Sequence, residues 1–174
     1  MSERPLLPRP IAAAAIPATG TRIDIVASPE ERAAIAADFG LLELPGLEAA
    51  IEARRAGDTV FLEGRVKASV VQACVVTLVA VEQQIDEAFG RRFVRGVPTP
   101  DLTTQDVDPT AEDPPDTYAE IIDFGAVALE EMALAIDPYP RAPGVEFEPP
   151  AEGDDPGEES PFAVLRRLRG EGST

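Results

Sequence analysis

The chain has 174 residues, with 32 Asp and Glu against 15 Lys and Arg, no histidine and one cysteine, for a net charge of −17. Lack of histidine excludes a Ser-His-Asp triad and a His-ligated metal, and the lone Cys74 excludes an internal disulfide or a four-cysteine zinc site. So acidic a chain repels free nucleic acid unless its cations are locally concentrated, which makes a basic protein the easier partner.

Residues 1–19 read as a flexible N-terminal segment. The apolar run Ile11 to Ile16 lies between Pro10 and Pro17; a membrane span needs roughly 20 apolar residues, and the opening lacks the layout of an export signal. No membrane segment is expected, and the protein is expected to be cytoplasmic, in keeping with an unpaired thiol. Residues 20–144 read as a single α+β domain. Thr21 to Ala27 alternates as a first strand. Ser28, Pro29 and Glu31 then form a helix start with a capping box, and the helix stops at Gly40. Leu47 to Arg54 is short and ambiguous, leaning towards strand.

Thr59 to Ala73 gives the clearest pattern. Val60, Leu62, Val66, Ala68 and Val70 share one face, and Glu63, Arg65, Lys67 and Ser69 the other, as a half-buried antiparallel strand requires. Gly64 interrupts the apolar face and predicts a bulge or a close approach. A second alternation, Val79, Val81, Ile85, Phe89 and Phe93 against Glu82, Gln84, Asp86 and Arg92, predicts an antiparallel neighbour joined through Cys74 to Leu78. Tyr118 to Ile122 predicts another strand, and Asp123 caps a helix from Phe124 to Ile136 that Asp137-Pro138 ends.

The acidity is concentrated. Gly96 to Glu120 and Val145 to Ser160 each hold seven acids, no base and several prolines, and without them the net charge is −3. Such composition predicts a flexible acidic loop over 96–117 and an acidic linker over 145–160. Ser160-Pro-Phe-Ala-Val-Leu-Arg-Arg-Leu-Arg169 combines an N-cap, a first-turn proline and an apolar stripe, which predicts a short C-terminal docking helix over 161–169. The predicted fold is thus α+β, a mostly antiparallel sheet with two main helices, a short C-terminal helix and acidic Pro-rich loops.

No phosphate-cradling glycine loop, dinucleotide fingerprint or metal-ligand spacing is present, so no cofactor is implied. Paired carboxylates such as Asp154-Asp155 lie in the acidic linker, whereas general acid–base work needs carboxylates that are held and desolvated. Cys74 has no basic sequence neighbour to activate it and reads as a buried structural thiol. Arg65, Lys67, Arg91, Arg92 and Arg95 cluster in the sheet region and form either a phosphate-contacting patch or a solvated face pairing with its own acids. Tyr139, Arg141, Phe162 and Leu165 are candidate partner anchors, because aromatic and arginine side chains often dominate interfaces; alternatively Tyr139 and Phe162 pack the chain onto its own body.

Three stretches carry a family resemblance. They are Val71-Gln-Ala-Cys-Val-Val-Thr-Leu78 between two long strands, the helix from Asp123 running into Asp137-Pro138-Tyr139-Pro140, and Pro161-Phe-Ala-Val-Leu165. Together, over roughly residues 20 to 169, they resemble the YceD family, named for large-subunit ribosomal RNA accumulation, in its alphaproteobacterial form. Many members carry Cys-x-x-Cys-Leu where this chain has Cys74-Val-Val-Thr77-Leu78, and the usual Glu-Pro after that leucine is here Val79-Ala80. The resemblance implies a non-enzymatic part in accumulation, processing or assembly of large-subunit RNA. The partner it implies is a ribosomal protein or a pre-ribosomal particle of the large subunit, with direct RNA contact through the basic cluster as the alternative.

Overall fold

The computed structural model describes residues 5–96 and 115–145. In chain order the elements are β1 (Pro10–Ala12), a 3-10 turn (Ala13–Ala15), β2 (Thr21–Val26), α1 (Pro29–Phe39), β3 (Glu43–Ala56), β4 (Thr59–Ala73), β5 (Ala80–Arg95), β6 (Asp116–Tyr118), β7 (Ile121–Asp123) and α2 (Phe124–Ala135). One sheet has the order β2-β3-β4-β5-β6, antiparallel except where β6 joins β5 in parallel, and β1 pairs with β7 in a second, two-stranded sheet. The α+β class and the mostly antiparallel sheet with two helices are as the sequence predicts.

Local chemistry explains the boundaries. Ser28 accepts from the Glu31 amide while the Glu31 carboxylate accepts from the Ser28 amide, which closes the capping box of α1. Gly40, at φ 66°, ends that helix in the left-handed region where glycine carries no Cβ penalty. Asp123 Oδ1 accepts from the amides of Gly125 and Ala126 to cap α2. Strands β3 and β4 are long because a period-two pattern runs along most of each: on the buried face Leu47, Ala49 and Ala53 oppose Ala68, Val66 and Leu62, and Ile51 faces Gly64. Each large side chain in these rows contributes about 1.5–3 kcal/mol on burial. Gly64 marks a close approach and no bulge. It sits opposite Phe89 in an unbroken register, and a Cβ there would lie 2.5 Å from the ring. Both helices cover the same face of the sheet, α1 over β3 and α2 over β4 and β5. Among the described residues no helix covers the other face.

Several boundaries differ from the expectation. Leu47 to Arg54 is the middle of the 14-residue β3. The stretch Tyr118 to Ile122 divides into β6 and β7, with a bend at Ala119-Glu120. Val79 precedes β5 and is exposed. The flexible segment expected over 1–19 needs correction for residues 5–16: Leu7, Ala13 and Ile16 are buried, and Arg9 pairs with Glu31. Too few apolar residues for a membrane span is still enough to cover a sheet. Within the acidic loop expected over 96–117, Asp116 and Thr117 belong to β6, where Asp116 meets Arg91. Residues 97–114 of that loop, residues 146–160 of the linker expected over 145–160, and the helix predicted over 161–169 lie outside the described residues.

Candidate functional site

The five candidate cations do not form one patch. Strand alternation sends Arg65, Lys67 and Arg92 to the open face of the sheet and Arg91 to the helix-covered face. There Arg91 donates to Asp116 at 2.8 Å, Glu131 at 2.9 Å and Glu130 at 3.1 Å. These bonds, led by that to Asp116, raise its pKa and commit all three guanidinium nitrogens to the fold. Arg95 lies at the far end of β5, 4.0 Å from Asp58.

The open face has mixed charge. Arg22 and Asp24 of β2, Glu48, Glu52 and Arg54 of β3, Glu63, Arg65 and Lys67 of β4, and Asp86 and Arg92 of β5 alternate across it. Arg65 forms an ion pair with Asp86, and the bond to Arg65 holds the Asp86 carboxyl below the ordinary carboxylate range. Arg54 stacks over Phe61, with its guanidinium 4.3 Å from the ring centroid. A shallow depression lies between Arg22, Glu48, Glu52, Glu63, Arg65 and Lys67. The ion pairs of this face among the described residues are Arg22 with Asp24 and Arg65 with Asp86, while Lys67 and Arg92 make none.

The turn between β4 and β5 gathers most of the family-motif residues. Cys74 is fully buried, and its sulfur accepts from the backbone amides of Ala142 at 3.4 Å and of Val76 and Thr77 at 3.5 Å. The Thr77 hydroxyl donates as well and is the largest cause of a thiol pulled down to about 6. No basic residue adjoins it in sequence; the same effect comes from converging donors, one of them brought by the distant segment after α2. The Val75 amide donates to the Pro140 carbonyl at 2.9 Å, and Gln72 and Gln83 bond the backbone of Asp137. Asp137, Pro138, Tyr139 and Pro140 are thereby fixed against this turn. Pro140 is buried, whereas Tyr139 is 71 % exposed, so it does not pack into the body. Arg141 is exposed beside it. Leu78 is 76 % exposed and has φ 62°. The sequence places Val79 in a strand alternation and Val75 and Leu78 in the connection before it, and no composition signal marks these residues as an exposed surface or Leu78 as left-handed. Phe162 and Leu165 lie outside the described residues.

Among the described residues no polar or charged side chain is fully buried, and no group of three His, Cys, Asp or Glu side chains is placed to hold a metal. The carboxylates of Glu30 and Glu31 are shifted down, by a backbone bond for Glu30 and by Arg9 for Glu31. A general acid at neutral pH needs the opposite shift. No helix of the described residues is long and apolar enough to cross a membrane.

The described residues thus make an α+β protein built on one large, mostly antiparallel sheet, with one face under two helices and the other open. A family model described as Large ribosomal RNA subunit accumulation protein YceD matches residues 62–169, more than half of the chain. The chain belongs to the YceD family, and its membership ties it to accumulation of large-subunit ribosomal RNA. The match begins inside β4 and takes in the Cys74 turn, α2 and the Asp137–Arg141 segment. Comparison with curated proteins and with solved structures gives no match.

Proposed function

We propose that this protein is a non-enzymatic factor of large ribosomal subunit biogenesis that binds a basic ribosomal protein or a pre-ribosomal particle. Family membership carries the assignment. Charge supports the choice of partner: the stretches 97–114 and 146–160 carry twelve acids and no base, and cationic ligands are drawn to them within about 8–10 Å at physiological salt. In this account the acidic stretches shield or deliver the basic partner, and the open face of the sheet makes the specific contact. Direct RNA binding is the weaker alternative, because Arg91 and Arg65 are already held by carboxylates. In this account the protein acts in the cytoplasm.

A crosslinked pull-down from growing cells tests this, scored for ribosomal proteins and RNA. The expected result is recovery of a basic large-subunit protein, weakened by deletion of 145–160 and not weakened by Lys67→Glu with Arg92→Glu, which add negative charge to the open face. Loss of RNA retention with that charge reversal, and a steep fall of affinity with salt, would establish the direct RNA reading instead. Recovery of neither component, with normal large-subunit RNA in a deletion strain, would remove the ribosome assignment.

A further inference from the structure

We propose that the apolar end of the molecule, formed by Val75, Leu78 and Val79 with Tyr139 at its rim, is the seat of the chain's own segment 161–169. These residues are between 47 % and 76 % exposed, and they sit together because the Val75 amide bonds Pro140 while the Cys74 amide bonds the Val79 carbonyl. Single exposed apolar side chains are ordinary, but a cluster of large ones at one end of a fold marks a contact. Leu78 adds an independent sign. A leucine at φ 62° occupies backbone space that favours glycine, and its side chain is spent on no contact within the core. Strain retained in an exposed apolar residue points to a ligand for that residue.

Three observations select the occupant. First, the described chain ends beside this surface, since the Val145 amide bonds Ala142, whose own amide bonds Cys74. A chain of fifteen residues, the length of 146–160, reaches about 20 Å or more, enough to bring Pro161 back onto the turn. Second, the chemistry is complementary. Phe162, Leu165 and Leu168 supply an apolar stripe, and Arg166, Arg167 and Arg169 supply charge without any acid. The acids Glu43 and Glu82 lie on the strands flanking Val71, and Asp137 is held by Gln72 and Gln83, all at this end. Third, an apolar stripe on a segment this short gains order only by burial against a surface. The family match runs to residue 169, the last of this segment, so the segment belongs to the same shared unit as the turn. Tyr139 and Phe162 accordingly meet each other. This goes beyond the proposed ribosomal role and does not depend on it.

The test uses the full chain. Because Cys74 is buried, a nitroxide on Gly170→Cys labels one site, and amide resonances are read in an isotopically labelled sample. Selective loss of the Val75, Leu78, Val79 and Tyr139 signals is expected, with recovery in the variant that also carries Phe162→Asp and Leu165→Asp. Those substitutions fall outside the described fold and leave its other resonances in place. Loss centred on the open face, or no selective loss, would overturn the proposal. So would broadening that appears equally when spin-labelled unlabelled-isotope chain is mixed with labelled chain, because the occupant would then be a second copy. A failed pull-down with ribosomal components leaves these spectra unaltered, so the two ideas fail separately.

Discussion

Single side chains carry the sharpest physical consequences. The Cys74 thiol, pulled down to about 6 by converging donors, ionises well below its ordinary value near 8.5. A depressed folded-state pKa contributes stability that is complete above the unfolded value and is lost as pH falls through the folded one. Stability against urea should therefore rise between about pH 6 and pH 8.5. The chain has no histidine to obscure that slope, and Cys74→Ser should flatten it. Iodoacetamide should still fail to modify the native thiol, because the sulfur is fully buried. Arg91 offers a second case. Its side chain is 24 % exposed and holds three carboxylates together, so Arg91→Met should lower the unfolding free energy by about 2 kcal/mol. A free nucleic-acid-binding arginine would show no such loss in a urea titration.

Among elements, two glycines separate soft packing from hard packing. At Gly64 an added Cβ meets the Phe89 ring, which is half-buried and can swing. At Gly125 the added Cβ drives into the backbone carbonyl of Leu7, which cannot move unless the segment before β1 leaves α2. Gly64→Ala should cost about 1 kcal/mol and Gly125→Ala about 3 kcal/mol, read from thermal unfolding, and only the latter should open residues 5–12 to limited proteolysis. The long strands were legible in the sequence because period-two alternation is a dense local signal, as in Val60 to Val70, and both helices were legible through Ser28 and Asp123 at their starts. β1 was not, and Tyr118 to Ile122 reads as one strand where the fold has the ends of β6 and β7, since three residues carry little periodicity and their pairing partners are distant in sequence. The same cause hid the Arg91 cluster. Its acids come from β6 and α2, and only the strand register turns Arg91 towards them.

For the whole molecule, charge is partitioned between the described body and the acidic stretches, and the family match spans parts of both. Deleting 146–160 should leave the unfolding midpoint of the body nearly unchanged. Binding of a basic partner should weaken, and so should its dependence on ionic strength. The Cys74 turn and the exposed end were visible only as family motif residues, because their meaning depends on the segment after α2 folding back across the end of β4 and β5.

One connection described earlier bears on how the molecule comes into being. Pro10 faces Asp123 in the β1–β7 pair, and the Arg9 amide bonds the Asp123 carboxylate. During synthesis β2 to β5 can pair in order as they leave the exit tunnel, but β1 has no strand partner until β7 has been translated. Closing so long a loop is slow, so nascent chains halted before Ile121 should keep Leu7, which packs on Gly125, uncovered and available to chaperones.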